Sequence, residues 1–136
     1  MENKPQYTLT KDERLKSRKT IEHLFREGKS FSVFPFRILW MYTALSAPGL
    51  QAGFTVSSKY FKKAVDRNRV KRLMREAYRL QKNPLLGSIK KQHRQLAIFF
   101  VYTGNELPEY QNVFDKTGVV LKRLLKMINE DSLDNT

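Results

Sequence analysis

Residues 96–102 read LAIFFVY, seven apolar side chains in succession in a chain whose residues are 29% charged. An extended segment points its side chains alternately to two faces, so an uninterrupted apolar run has to be covered on both. The run is far too short to cross a bilayer, which takes roughly 20 apolar residues as a helix. It is expected to be a central strand, and the remaining segments have to supply the layers that cover it.

Those segments are legible in turn. Residues 1–8 carry no apolar pattern and are expected to be loose, while Thr10 and Glu13 have the spacing of a capping box. A stronger helix start is Ser17, followed by Ile21, Leu24 and Phe25 on one face and closed by Gly28. In FSVFPFRILWMYT (31–43), Phe36, Ile38, Trp40 and Tyr42 alternate with Arg37, Leu39 and Met41, a strand pattern interrupted near its start by Pro35. SAPGLQ reads as a turn, QAGFTVS as the next strand, and Asp66 as the cap of a long helix. Residues 82–95, with Pro84 and Gly87, read as a mobile basic loop.

A last helix is expected to open at Pro108 and Glu109. Tyr110, Val113, Phe114, Thr117, Leu121, Leu124, Leu125 and Ile128 follow at helical spacing, and an acidic tail at 129–136 is expected to fray. Helix, strands, helix, strand, helix is the order of an α+β sandwich, with helices against one small sheet, in a single domain of 136 residues.

A formal charge of +13 beside a hydrophobic content of 40% places a strongly basic surface on a folded domain. There is no cysteine, which excludes a disulfide framework and a cysteine zinc site. The first residues contain no apolar leader segment, so the expected compartment is the cytoplasm, with no membrane partner.

The charge is concentrated. Residues 59–94 hold 13 of the 26 Lys and Arg and two acids, a local net of +11. Along the helix that begins DRNRVKRLMREAYR at 66, a period of 100° per residue gathers Val70, Leu73, Met74, Ala77, Tyr78 and Leu80 on one side. Arg67, Asn68, Lys71, Arg72, Arg75 and Arg79 gather on the other, with Arg69 on the far flank. This cationic stripe runs along about 18 Å of helix. A solvated helix face would mix signs at i,i+4 for support, but here only Asp66 and Glu76 oppose the bases, which favours a polyanion partner. The apolar side is needed by the sheet, which argues against a membrane-surface helix, and arginine's fork suits phosphate oxygens and base stacking. Charge alone leaves DNA and RNA open.

Other signals are weaker. EGKS at 27–30 lacks the Gly five residues before its Gly-Lys pair, where His23 stands, and it closes a helix instead of following a strand, so no nucleotide loop is read. His23 and His93 are the only histidines, and His23 reads as a partly exposed helical residue. No carboxylate pair falls at a strand end where two Mg²⁺ ions would be held, so neither catalytic residues nor a side-chain metal site is predicted. Ile21, Phe25, Phe36, Ile38 and Trp40 read first as core. Their alternative is an open groove for single-stranded RNA, and Trp40 suits both readings equally.

Assembled, these residues resemble the protein subunit of bacterial ribonuclease P. The resemblance is carried by RLK at 14–16, LFREGKSF at 24–31 and GFTVSSKYFKKAVDRNRVKRLMREAYR at 53–79, followed by an apolar strand and a final helix. It implies a protein without catalytic residues of its own, bound to a catalytic ribonuclease P RNA that removes the 5′ leader of precursor tRNA with Mg²⁺ held mainly by the RNA. The fold implied has the order α-β-β-β-α-β-α and is ribosomal-protein-S5-domain-2-like, with a left-handed β-α-β crossover opposite to the general rule.

The resemblance carries over to particular positions. Arg67, Asn68, Arg69, Lys71, Arg72 and Arg75 match the segment that faces the catalytic RNA, and Arg79, Lys59, Lys62 and Lys63 extend it. The 5′-leader cleft lies between the first helix and the sheet; Phe25 matches its second helical aromatic, whereas Ile21 stands where the first would be. A strand aromatic of the cleft falls at Leu39 or Trp40, and Trp40 is preferred on chemistry. Phe36, Arg14 and Lys16 complete the expected cleft. The rival readings are a basic ribosome-associated or other structural RNA-binding protein, a self-sufficient nuclease, which the missing carboxylate pair argues against, and a DNA-binding helix. DNA is not the expected partner.

Overall fold

The computed structural model describes residue 9 and residues 13–43 and 48–134, with side chains described as far as Asp131. The expected loose residues 1–8, Thr10 of the capping box and part of the SAPGLQ turn lie outside them. The order is α1 (Arg18–Glu27), β1 (Lys29–Val33), β2 (Phe36–Thr43), β3 (Gly49–Val56), α2 (Ala64–Gln81), α3 (Asn83–Lys91), β4 (Gln95–Tyr102) and α4 (Tyr110–Asp134). It is an α+β fold with helices on both faces of one sheet.

That sheet has the order β1-β2-β4-β3. The LAIFFVY run forms most of β4, flanked by β2 antiparallel and β3 parallel, and Leu96 to Phe100 are all buried. The apolar run thus occupies an interior strand covered on both sides. Pro35 does more than interrupt a strand: with Phe34 it forms the turn between β1 and β2, which pair antiparallel from Lys29↔Trp40 to Val33↔Phe36. The Phe34–Pro35 peptide is cis.

Side-chain parity divides the sheet into two faces. Phe31, Phe36, Ile38, Trp40, Leu50, Ala52, Leu96, Ile98, Phe100 and Tyr102 join the larger core with α2, α3 and α4. Leu39, Ala97 and Phe99 point the other way and meet Leu15 and Leu24 beneath α1. Burial of this kind contributes about 25 cal/mol per Å² of apolar surface, so the larger core dominates stability.

Three expectations about helices are corrected. Residues 82–95 are not a loop through most of their length: Asn83–Lys91 is helix, because Pro84 sits in the first turn, where it costs no hydrogen bond, and Leu85 and Ile89 are buried four apart. The cap of α2 is Lys63, without a side-chain cap bond, and Asp66 lies in the first turn, where its charge still suits the helix end. The final helix starts after Pro108 and Glu109 and continues through 129–134, so that stretch is helical rather than frayed. Ser17 does cap α1, accepting from the Thr20 amide at 3.3 Å. Gly28 closes it, its amide donating to the Leu24 carbonyl at 2.8 Å, and a Cβ there would lie 2.5 Å from that oxygen.

Candidate nucleic-acid interface

On α2 the apolar side behaves as the periodicity predicts: Val70, Met74, Ala77 and Tyr78 are buried and Leu73 packs partly against them. Leu80, at the edge of the apolar face, is the exception and stays exposed. Asn68, Arg69, Arg72 and Arg75 are exposed, with Lys71 half-buried beside them. Lys59, Lys62 and Lys63 are exposed on the approach to the helix, the Lys59 ammonium 5.3 Å from the Tyr60 ring centroid. The stripe is a surface of fixed positive charge beside the N-terminus of α2, whose partial charge has the same sign.

Two members of the stripe have additional work. Arg67 turns back on its own approach segment and donates from Nη1 to the carbonyls of Phe61 at 2.7 Å and Lys62 at 2.8 Å. Its guanidinium thereby ties the β3–α2 connection to the first turn of the helix. Arg79 donates to Glu76, Nη2 to Oε1 at 2.5 Å and Nε to Oε2 at 3.1 Å. This bidentate bond lowers the Glu76 pKa below the usual carboxylate range and raises that of Arg79. At this end of the stripe, one cation is partly neutralised.

The second candidate surface lies between α1 and the opposite sheet face. Leu24 is the only fully buried residue of α1; Ile21 is half-buried, and Phe25 remains 49% exposed with its ring edge-on to Phe99 at 5.5 Å. Gly53 makes room for Phe99, since a Cβ there would lie 2.6 Å from the ring. Met41 and Val101 are half-buried alongside, and Arg37, paired across the strands with Val101, is exposed. The result is an apolar floor with an exposed aromatic rim and a cation. Arg14 and Lys16, both exposed, precede α1, and Arg14 makes a parallel bridge to Ala52 at the β3 edge.

Two expected cleft residues are elsewhere. Phe36, 1% exposed, and Trp40, 4% exposed, face the larger core, where Phe36 meets Phe100 and Tyr102 and Trp40 meets Tyr42. Their parity puts them on the side of α2 and α4, so Leu39 rather than Trp40 faces α1. The residues missed in the sequence are Arg37, Met41, Phe99, Val101 and Gly53. Alternation would have found the first two, because Arg37 and Met41 share the parity of Leu39.

Among the described residues no group of three or more His, Asp or Glu side chains is placed to hold a metal ion. Nor, among the described residues, is any helix long and apolar enough to cross a membrane. The arrangement can bind polyanions and flat apolar groups.

Comparison with known proteins agrees with this geometry. A family profile described as Ribonuclease P matches residues 9–125. A ribonuclease P protein component of Porphyromonas gingivalis strain W83 is 35% identical over 136 residues, covering 99% of each chain, and that of Syntrophus aciditrophicus is 31% identical over 124 residues, covering 91% of this chain and 97% of the other. Among solved structures, the ribonuclease P protein of Thermotoga maritima superposes with a TM-score of 0.66 at 27% identity, covering 82% of this chain and 96% of that one. The ribonuclease P protein of Staphylococcus aureus shares the fold at a TM-score of 0.61 and 19% identity, covering 85% of this chain and 94% of that one.

Proposed function

The chain belongs to the ribonuclease P protein family, and from that premise we propose that it binds a catalytic ribonuclease P RNA through α2 and the 5′ leader of precursor tRNA through the α1 groove. In this reading the holoenzyme is an endoribonuclease of the cytoplasm that releases the mature tRNA 5′ end. The observation that carries it is the exposed set Asn68, Arg69, Arg72 and Arg75 on one helix, with an apolar aromatic groove separately available under α1.

Each surface has a distinct task. Cations along α2 displace counterions from RNA phosphates, which makes assembly strongly salt-dependent. The groove holds unpaired leader nucleotides by stacking on Phe25 and by apolar contact with Ile21, while Arg37, Arg14 and Lys16 attract the leader backbone. Cleavage itself is assigned to the RNA and its Mg²⁺. The protein supplies binding and orientation and lowers repulsion where leader, tRNA and catalytic RNA meet.

The test is cleavage of a precursor tRNA at low Mg²⁺ by a bacterial ribonuclease P RNA, with and without the protein, and by the protein alone. Rescue of cleavage at the mature 5′ end, with no activity of the protein alone, is expected. RNA binding without rescue by the RNA of the same organism would instead support a structural RNA-binding protein. Cleavage by the protein alone would overturn the division of labour.

A further inference from the structure

Lys82 is 2% exposed, at the junction of α2 and α3, and its Nζ donates to Oε2 of Glu13, 69 residues earlier in the chain. A lysine ammonium is seldom buried, because an unpaired charge removed from water is heavily penalised. Tyr78, one turn earlier on α2, is fully buried close to the same carboxylate, and among the described residues its hydroxyl has no hydrogen-bond partner. The carboxylate of Glu13 is therefore set against the core-facing side of α2, away from the cationic stripe.

The residues that follow Glu13 go the other way. Arg14 bridges to Ala52 on β3, an edge strand, and the Leu15 amide donates to the Ala52 carbonyl at 2.9 Å. The Leu15 side chain is buried with Leu24 and Phe99 on the groove side, and Ser17 then caps α1. Within residues 13–17 the chain thus passes over the β3 edge from the α2 side to the α1 side. Leu24 is the one fully buried residue of α1, and Ile21 and Phe25 add only partial contacts, so the helix is shallowly seated.

We propose that the Glu13–Lys82 pair is a positioning clamp that fixes this segment across the β3 edge, so that the end of α2 sets where α1 lies over the groove. Apolar partners at the two positions would bury equally well, but they would let the segment slide; an ammonium–carboxylate pair is directional and specifies one register. Lys82 and Glu13 touch no RNA in this scheme. They act through Leu15 and α1, and the leader-binding consequence rests on the proposed function.

The experiment uses the full chain, wild type, Lys82→Met, the apolar pair Glu13→Leu with Lys82→Met, and the reversed pair Glu13→Lys with Lys82→Glu. Amide exchange reads the clamp directly, and a melt checks folding. The holoenzyme is assayed for affinity toward leader-bearing and mature tRNA and for catalytic-RNA binding. For the apolar pair, the expected result is exchange at the Leu15 and Ile21 amides faster by about tenfold with α2 amides unchanged. Leader preference should fall about fivefold with catalytic-RNA affinity held within about twofold. The reversed pair should restore much of the leader preference.

Unchanged exchange in a folded apolar pair would overturn the clamp. Faster exchange with full leader preference would overturn its role in the groove, as would equal loss of both RNA affinities, which marks a purely structural pair. If wild type itself shows no leader preference, the proposed function fails, and exchange alone decides the clamp.

Discussion

Arg67 and Arg72 both belong to the basic segment of α2 but stand roughly 140° apart around the helix and make different contacts, and substituting each in turn separates folding from binding. The Arg67 guanidinium donates to two carbonyls of the segment that delivers the chain into α2, and one of those bonds is partly buried. Hydrogen bonds from a charged donor contribute roughly 1.5–3 kcal/mol each at best, and exposure of the Lys62 carbonyl lets water replace much of the second, so Arg67→Ala should cost about 2 kcal/mol. For a chain of this length that is a drop of roughly 6–8 °C in Tm. Arg72 is exposed, and Arg72→Ala should stay within about 0.5 kcal/mol of wild type.

Binding should show the opposite order. Loss of one phosphate contact flattens the slope of log affinity against log salt by about 0.7–0.9. Arg72→Ala should show that change, while Arg67→Ala, compared at a temperature where both are folded, should show much less of it. The assay is a thermal melt beside titration of ribonuclease P RNA at several salt concentrations. An Arg67→Ala protein that melts like wild type and has the flatter slope would refute the reasoning and return Arg67 to the RNA-facing stripe.

Phe25→Ala should lose only about 1 kcal/mol of stability, because the ring is half exposed and its main partner is one edge contact with Phe99, yet it should reduce leader preference in a precursor-versus-mature tRNA assay. Trp40→Ala should do the reverse, costing about 3–5 kcal/mol in a denaturant melt while leaving leader preference intact in the folded fraction. Gly53→Ala should cost about 1–3 kcal/mol and displace the Phe99 ring, visible as an altered Phe25 environment by NMR. Glu76 has a lowered folded-state pKa, so its contribution is present above the unfolded carboxylate pKa and is lost as pH falls through the lowered value; a Glu76→Gln melt should lack that acid-limb change. The same substitution removes a competitor for Arg79 and should tighten catalytic-RNA binding by about threefold.

The elements most legible in the sequence were those with one unbroken pattern. α2 keeps a helical period from Val70 to Tyr78, and β4 is apolar at every position of its center, so neither depends on distant partners for identification. α3 was obscured because Pro84 and Gly87 are breakers by type, whereas Pro84 is harmless in a first turn and Gly87 has only open space where a Cβ would be. Burial of Lys82 could not be read from its neighbours, since the carboxylate that makes it tolerable comes from the other end of the chain. Asn68, Arg72 and Arg75 are exposed on α2 as the periodicity predicts, and Phe25 stands on α1 beside Phe99. Arg67 stands three residues before Val70 and seven before Met74, so the helical period puts it beside the buried face, although its backbone acceptors leave no mark in a sequence.

The error over Trp40 shows what governs the groove. Trp40 suits the groove chemically, but the pleat allows only one parity of β2 to face α1, and that parity is Leu39's. A slip by one residue would bring Trp40 and Phe36 to that face and drive Arg37 into the apolar side chains of the larger core. Register is therefore fixed by the cost of burying Arg37 as much as by the aromatic core. The groove floor is then Leu39 and Phe99 over Gly53, with Ile21 and Phe25 on α1 forming its rim. A floor without hydrogen-bonding side chains cannot read base edges. Under the proposed function, a leader bound there is recognised by being single-stranded and anionic, with its base identity left to stacking.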